Sequence, residues 1–314
     1  MRIILFSILL GCLLIACTKE VQIDIPGYEE QLVVDGRIET NGFPILLLST
    51  SQNVYTTTSL ATYLNSIVTD ATVSVNNGNI TLQLQLFLLA DLPLESQKRV
   101  AEMLSLELNQ IAFLPIQVYS TTDESLLGEV GKTYQLKINQ KGKEYTAETT
   151  LLPPVALDNV YWKPEIDNPQ FGVCWAKLSD PANQYNAYKW EVKLITSLPN
   201  GSPKDKLFRS RGNPFFQDKF FDGLTFEFDT KYPEKDTTYP SGFKHNYRLG
   251  DSLVIKLSRL DEPVFNFFDK KIAQMQTSSN PFSTPVNIPT NVSGGALGIW
   301  AGYSPWYDTL YCVQ

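Results

Sequence analysis

The chain has 314 residues, 43% of them hydrophobic and 12% aromatic, so it is long enough for one large or two ordinary domains with well-filled cores. Its formal net charge of -7 argues against nucleic acid as a partner, because nucleic-acid binding depends on Lys and Arg side chains that neutralise phosphates. The same balance argues against attachment to anionic lipid through a basic patch.

Residues 1–16 have the composition of a secretory leader. Arg2 supplies a positive charge, and the run from Ile3 to Ile15 is almost wholly apolar but too short to span a bilayer comfortably. The run ends in Ala16-Cys17, and a small residue before a cysteine resembles bacterial lipoprotein signals. We therefore expect a signal peptide over residues 1–16, a lipid on Cys17 and a short tether over residues 17–30. The alternatives are an ordinary signal peptide with an incidental cysteine and a leader that is not cleaved.

Short β-branched and alternating segments, separated by turn residues, predict a β-sandwich domain over residues 31–153. The strands of this domain are expected at 31–39, 45–49, 72–75, 80–86, 133–138 and 143–149. Apolar residues at helical spacing predict a helical insertion over about 94–112. This insertion would either cover the open end of a sandwich or bind a partner.

Pro153-Pro154 cannot continue a strand ladder, so we place a domain boundary there and expect a second, β-rich domain over residues 154–314. Its strands are expected at 160–162, 171–176, 188–195, 253–257 and 296–301. A helix over about 262–276 would be capped by Asp261. The sequence thus predicts a mainly β protein with two β-sandwich, immunoglobulin-like domains and one or two accessory helices.

Two cysteines remain after Cys12 leaves with the leader and Cys17 takes the lipid. Cys174 and Cys312 both lie on strand-like runs, and an oxidising compartment would permit a disulfide between them. The alternative is a pair of buried, reduced thiols that behave as small apolar side chains.

Several segments, in this order, resemble the Bacteroidetes lipoprotein family catalogued as domain of unknown function 4249. The segments are Gln31–Ile38, Gly131–Leu136 with Tyr145–Ala147, Asp180-Pro181 with Asn186–Tyr188, Asn280–Phe282, Asn291–Gly295 and Leu297–Trp300. The resemblance covers nearly the whole mature chain, although the helical stretch near 94–112 departs from it. It implies an outer-membrane lipoprotein that accompanies a TonB-dependent receptor, and it offers no catalytic residues.

The sequence predicts no catalytic residue, no metal site and no cofactor. Its single histidine, His245, stands in a polar loop without a nucleophile motif nearby, and two free cysteines with one histidine are a poor supply of zinc ligands. No phosphate loop or calcium loop is present. A local group of acids, Asp218, Asp222, Glu227 and Asp229, leaves paired-carboxylate chemistry on glycans as an alternative.

Aromatic side chains are the stronger indication of binding. We expect a ligand or partner site at four residues near the C-terminus: Trp300, Tyr303, Trp306 and Tyr307. Trp306 follows Pro305 in an expected loop and should be the most exposed of the four. A second aromatic stretch runs from Phe215 to Phe228 and would serve either the core or a site. Three segments resemble the Asp-Ser/Thr-apolar sites of Bacteroidetes-type O-glycosylation, and this resemblance implies modification at Thr237, Ser252 and Thr309.

These observations predict a non-enzymatic, lipid-anchored protein of the outer membrane. It would face the cell surface, with the periplasmic face as the alternative, and would help a TonB-dependent receptor to capture a glycan or another nutrient. A structural or adhesive surface lipoprotein and a glycan-active enzyme are the two alternative functions.

Overall fold

The computed structural model describes residues 29–53, 57, 59–277 and 286–313, and over this part of the chain it has sixteen strands and four α-helices. The predicted mainly β class with accessory helices is confirmed, whereas an immunoglobulin-like strand order stays a prediction. The leader, Cys17 and most of the tether lie outside the described residues. None of the helices in the described ranges is long and apolar enough to cross a membrane.

Strands and helices are numbered here in chain order. The strands are β1 (Leu32–Glu39), β2 (Ile45–Thr50), β3 (Thr72–Asn76), β4 (Thr81–Gln83), β5 (Gln85–Leu88), β6 (Gln117–Ser120), β7 (Thr133–Gln140), β8 (Lys143–Thr150), β9 (Asn159–Pro164), β10 (Phe171–Ser179), β11 (Ala187–Leu194), β12 (Phe215–Gln217), β13 (Thr225–Thr230), β14 (Tyr247–Arg248), β15 (Ser252–Leu260) and β16 (Leu297–Tyr311). The helices are α1 (Leu60–Asn65), α2 (Leu94–Leu104), α3 (Leu108–Ile111) and α4 (Glu262–Thr277).

Two sheets enclose the first core. In one of them β1 pairs antiparallel with β2, and the sheet continues through β6 to β5. The other has the order β4-β3-β7-β8, and the predicted hairpin joins β7 to β8. Because successive side chains of a strand point to opposite sides, alternate residues such as Val34, Leu48, Val73 and Leu136 meet in the space between the sheets.

The second core lies between two further sets of strands. β11 pairs with β12 and with β15, and β15 pairs with the second half of β16. Opposite them, β10 pairs with β9, β13 and β14. The buried side chains between these layers include Trp162, Cys174, Tyr188, Leu257 and Leu310.

β16 belongs to both sandwiches. Its first half pairs parallel with β1, from Val33↔Leu297 to Glu39↔Tyr303, and its second half pairs antiparallel with β15. One sheet therefore runs through the molecule in the order β12-β11-β15-β16-β1-β2-β6-β5. The predicted division at 153–154 stays a prediction. Trp300, which lies in the second predicted domain, packs in the first core.

Gly298 makes the close pairing of β16 with β1 possible. Its φ is 95°, a left-handed value that favours glycine, and a Cβ at this position would collide with the backbone oxygen of Val34. The glycine therefore sets the entry of the chain into β16.

The helical insertion covers the outer face of the sheet that contains β2, opposite the first core. The predicted stretch 94–112 is divided into α2 and α3 at Ser105, whose φ of 54° ends α2 in a left-handed conformation. Val100 and Ile111 pack against Ile45 of β2, together with Leu207 from the second half of the chain. The insertion therefore packs on the sheet through its apolar side chains, as the first of the two alternatives expects.

Residues 80–86 alternate like one strand, but the structure divides them. β4 pairs with β3 in one sheet and β5 pairs with β6 in the other. Leu84, which lies between them, is buried, and its N–H donates to the backbone oxygen of Val73 at 2.8 Å. The chain crosses from one layer of the sandwich to the other at this residue.

Candidate ligand-binding cleft

A cleft of about 780 Å³ opens at one edge of the second sandwich. Trp190 of β11 and Phe216 of β12 line it from one sheet, and Phe226 and Phe228 of β13 line it from the other. The volume lies in the range of about 300–1,000 Å³ that is usual for small-molecule sites. A loop over residues 210–214 completes the lining.

The aromatic lining follows from strand periodicity. The side chains of β13 alternate between exposed and half-buried, so that Phe226 and Phe228 turn towards the second core while Glu227 points to solvent. The Phe228 ring lies 5.3 Å from that of Trp190 and 5.7 Å from that of Phe216, and aromatic pairs at such distances stabilise each other. The rings contact one another and together form an aromatic surface that lines the cleft.

Charged side chains lie at the solvent-exposed mouth of the cleft. Arg211, Asp229 and Lys231 line the cleft and are exposed. Within the described ranges, the side chains of Arg211 and Lys231 form no ion pair, hydrogen bond or cation–π contact. The mouth therefore carries two free cations and one carboxylate.

The amino-acid sequence predicts only part of this cleft. The sequence leaves core packing and a binding site both open for the aromatic stretch from Phe215 to Phe228, and its half-buried rings both pack on the core and line the cleft. Trp190, Arg211 and Lys231 were missed, because they stand in separate segments whose proximity depends on the pairing of the sheets. No local pattern in the sequence signals that pairing.

The predicted site at the C-terminal aromatic residues is wrong as a single surface. Trp300 is fully buried in the first core, where its indole N–H donates to the backbone oxygen of Tyr134 at 2.9 Å. Trp306 is not in an exposed loop but within β16, half-buried against the second core. The alternation of a 15-residue strand sends these two tryptophans into cores.

The two tyrosines of that prediction point to the opposite side of β16. Tyr303 is buried beneath the Arg37 guanidinium, whose carbon lies 4.7 Å from the centre of its ring. Tyr307 is 47% exposed, and its hydroxyl donates to Glu39 Oε1 at 3.3 Å. Both contact a buried polar arrangement, Tyr303 through Arg37 and Tyr307 through Glu39.

This arrangement, the polar layer, consists of Arg37 and Glu39 of β1, Lys189 and Glu191 of β11 and Lys256 of β15. Lys256 Nζ lies 2.8 Å from Glu39 Oε2, Arg37 Nη2 lies 3.1 Å from the same oxygen, and Lys189 Nζ lies 2.7 Å from Glu191 Oε1. Charges withdrawn from water in this way are tolerated only when they are paired. The layer therefore ties strands from both halves of the chain together.

Electrostatics keeps these groups ionised. Burial alone would raise the pKa of Glu39, but the neighbouring cations Lys256, Arg37 and Arg99 outweigh it and lower that pKa to about 2. Burial likewise opposes the charge of Lys256, but Glu39 and Glu191 outweigh it and raise the pKa of this lysine above its ordinary value.

A small cavity of about 220 Å³ adjoins the polar layer, between the sheet, α2 and α4. Asp35, Arg37, Lys189 and Tyr303 contribute to its lining. Burial raises the pKa of Asp35 despite the attraction of Lys271 and Arg37. The sequence contains one indication of this region, since charged residues alternate along β1 and β11. Such alternation ordinarily indicates a strand face that is exposed to solvent.

The acidic residues noted in the sequence do not form one group. Asp218 and Asp222 meet Asp180, with one oxygen of each within 4.8 Å of the others, while Glu227 and Asp229 stand apart on β13. Asp180 accepts the Tyr188 hydroxyl at 2.7 Å, and Asp218 accepts the Asn186 backbone N–H at 2.8 Å. These carboxylates fasten the loop before β11.

Cys174 and Cys312 lie in the same core, as the disulfide prediction requires, but both are buried, free thiols. Burial raises the pKa of Cys174 to about 12 and raises that of Cys312 further. Of the two alternatives that the sequence leaves open, the structure shows the second, two buried thiols that help to fill the core.

The three predicted glycosylation residues differ in access. Thr237 and Thr309 are exposed, in a turn and on β16 respectively. Ser252 is half-buried at the start of β15, where its backbone N–H donates to Thr196 Oγ1 at 3.0 Å. Glycosylation at these positions stays a prediction.

The fold and cleft define a mainly β protein in which two sandwiches share one strand and an aromatic cleft opens at the edge of the second. The model of a domain of unknown function (DUF4249) matches residues 18–305, and the chain belongs to that family. No curated protein matches the chain.

Proposed function

We propose that this protein is a non-catalytic binding protein, anchored by a lipid on Cys17 to the outer membrane, that assists a TonB-dependent receptor in capturing a nutrient. The aromatic cleft carries this proposal, because it combines the volume of a small-molecule site with an apolar lining. In the proposed arrangement the second sandwich holds the ligand and the protein faces the cell surface.

The chemistry of the cleft favours binding over catalysis. Glycoside hydrolysis needs two carboxyl groups that face the substrate, and among the described lining residues Asp229 is the only acid. The carboxylates of Asp180 and Asp218 are held by hydrogen bonds within their loop. His245 is not among the lining residues, and its Nδ1 lies 3.2 Å from the backbone oxygen of Tyr232.

The anchor supports the proposed partnership with a receptor. The match to the family model begins at residue 18, directly after Cys17. Acyl chains contribute about 0.8 kcal/mol for each buried CH₂ group, so a multiply acylated cysteine holds a protein firmly at the membrane. Confinement to the membrane raises the effective concentration near a receptor, and a modest affinity then suffices.

The partnership is tested by recovering the tagged, lipidated protein from its own outer membrane in mild detergent and identifying co-purified proteins by mass spectrometry. We expect a TonB-dependent receptor in near-equal amount. A Cys17→Ser variant, which cannot be acylated, serves as the control and should be recovered without the receptor. Recovery of the lipidated protein alone would contradict the partnership and favour an adhesive or structural role.

A further inference from the structure

The charge at the mouth of the cleft selects among possible ligands. Arg211 and Lys231 are exposed cations at the mouth, and neither has a partner among the described residues. Asp229 is the only acid among the described lining residues, so this part of the lining has an excess of one positive charge. A guanidinium and an ammonium at the edge of an apolar cleft offer free donors to a single anionic group.

The interior of the cleft offers little to the hydroxyl groups of a sugar. Its half-buried lining is largely aromatic. Two polar side chains of the lining, Ser210 and Asn213, have partners within the fold, and the Thr230 hydroxyl is one polar group of the lining without a hydrogen-bond partner among the described residues. The Ser210 hydroxyl donates to the backbone oxygen of Trp190 at 3.1 Å, and Asn213 Oδ1 accepts the Phe215 N–H at 3.0 Å. A ligand rich in hydroxyl groups would leave many of them buried without a partner, which costs free energy.

We propose that the cleft binds an amphipathic organic anion. Its apolar body would lie against Trp190, Phe216 and Phe228, and its carboxylate would meet Arg211 and Lys231 at the mouth. This inference rests on the proposed binding role of the cleft and specifies its ligand class. The free energy would come mainly from the apolar body, and the cations would discriminate against a neutral ligand of the same length.

The test uses the whole chain with Cys17→Ser, so that no attached acyl chain competes for the cleft. Anilinonaphthalene sulfonate, a fluorescent aromatic anion, is bound first and then displaced by dodecanoate, by uncharged dodecanol or by maltoheptaose. We expect dodecanoate to compete at least about fivefold more strongly than dodecanol, because two partly exposed charge contacts contribute modestly in water. Maltoheptaose should not compete.

Charge reversal at the mouth provides the decisive variant. Arg211→Glu combined with Lys231→Glu should lower the affinity for dodecanoate at least about fivefold and leave the affinity for dodecanol nearly unchanged. Both side chains are exposed, so the melting temperature should not change. Lys141→Asp, a single charge reversal in the distant β7–β8 turn, is the control and should bind like the parent, since Asp tolerates the left-handed backbone there.

Three results would overturn the proposal: equal competition by dodecanoate and dodecanol, an unchanged dodecanoate affinity in the double variant, or displacement by maltoheptaose alone. The titration contains neither receptor nor membrane, so its failure is distinguishable from failure of the proposed partnership. Strong displacement by maltoheptaose, for example, would keep the cleft as a binding site but replace the ligand class.

Discussion

Glu39 is held by three cations although its side chain is almost completely removed from water. Lys256 and Arg37 lie within 3.1 Å of its carboxylate, and Arg99 of α2 lies 3.7 Å away. Their attraction lowers the pKa of Glu39 to about 2 against the opposing effect of burial. Removal of this one carboxylate would leave buried cations without their counter-charge. The loss of one partner from a buried ion pair strongly lowers the stability of a protein.

We predict that Glu39→Gln lowers the free energy of unfolding by about 3–5 kcal/mol at neutral pH, measured by urea denaturation. Because the pKa of Glu39 is lower in the folded than in the unfolded chain, its stabilising contribution is full above about pH 4.5 and is lost as the pH falls towards 2. The difference between parent and variant should therefore shrink by about 3 kcal/mol over that interval.

Glu144→Gln is the matched control for this pH series. Glu144 forms an ion pair with Lys137 at 2.8 Å, but both side chains are more than half exposed. Its replacement should change stability little, because solvent screens exposed pairs. A Glu39→Gln variant as stable as the Glu144→Gln variant would contradict the role assigned to the polar layer.

At the scale of elements, α4 is fixed by the residue that the sequence predicted as its cap. Asp261 Oδ1 accepts the Val264 N–H at 3.1 Å, and its Oδ2 accepts the Thr149 hydroxyl at 2.8 Å and the Thr150 N–H at 3.1 Å. One carboxylate thus caps a helix and joins it to β8. The sequence pattern revealed the cap, but the contact with β8 depends on tertiary structure.

We predict that Asp261→Ala lowers the free energy of unfolding by about 2 kcal/mol, because it removes the cap and leaves the Thr150 N–H without its partner. Asp261→Asn retains a capping oxygen and should cost less than Asp261→Ala. Urea denaturation followed by circular dichroism compares the three chains. Equal stability of the parent and Asp261→Ala would show that the cap and the contact with β8 contribute nothing.

Strand periodicity predicted the elements better than it predicted their partners. The hairpin of β7 and β8, the strands β9 to β11 and the helix α4 stand close to their expected places. The alternation between buried and exposed side chains that the sequence predicts along residues 80–86 is present in the structure. It could not reveal that the chain crosses from one sheet to the other at Leu84. Alternation sets which side of a strand is buried, and the choice of partner strand depends on residues far away in the sequence.

At the scale of the whole molecule, β16 decides how the two halves are joined. The sequence predicted a short strand over 296–301 and two separate domains, whereas the strand continues to Tyr311 and serves both sandwiches. Pro305 and the aromatic residues after it predict a loop, and a loop would expose Trp306 to solvent. The pairing of Ser258 with Pro305 instead places that residue within the sheet.

The cleft also belongs to this scale, because four separate segments form it. The Phe-rich stretch could be recognised in the sequence, but the facing Trp190 and the cations Arg211 and Lys231 could not. Their proximity follows from the pairing of β11 with β12 and the packing of β13 across the core. The binding site is therefore a property of the assembled sandwich rather than of any local motif.

The most direct test of the cleft is a crystal structure of the protein with bound dodecanoate. We predict density for the alkyl chain between Phe216 and Phe228, with the carboxylate within hydrogen-bond distance of Arg211 or Lys231. An empty cleft at saturating dodecanoate, or density for the ligand only in the cavity beside Asp35 and Arg37, would contradict the assignment of the binding site.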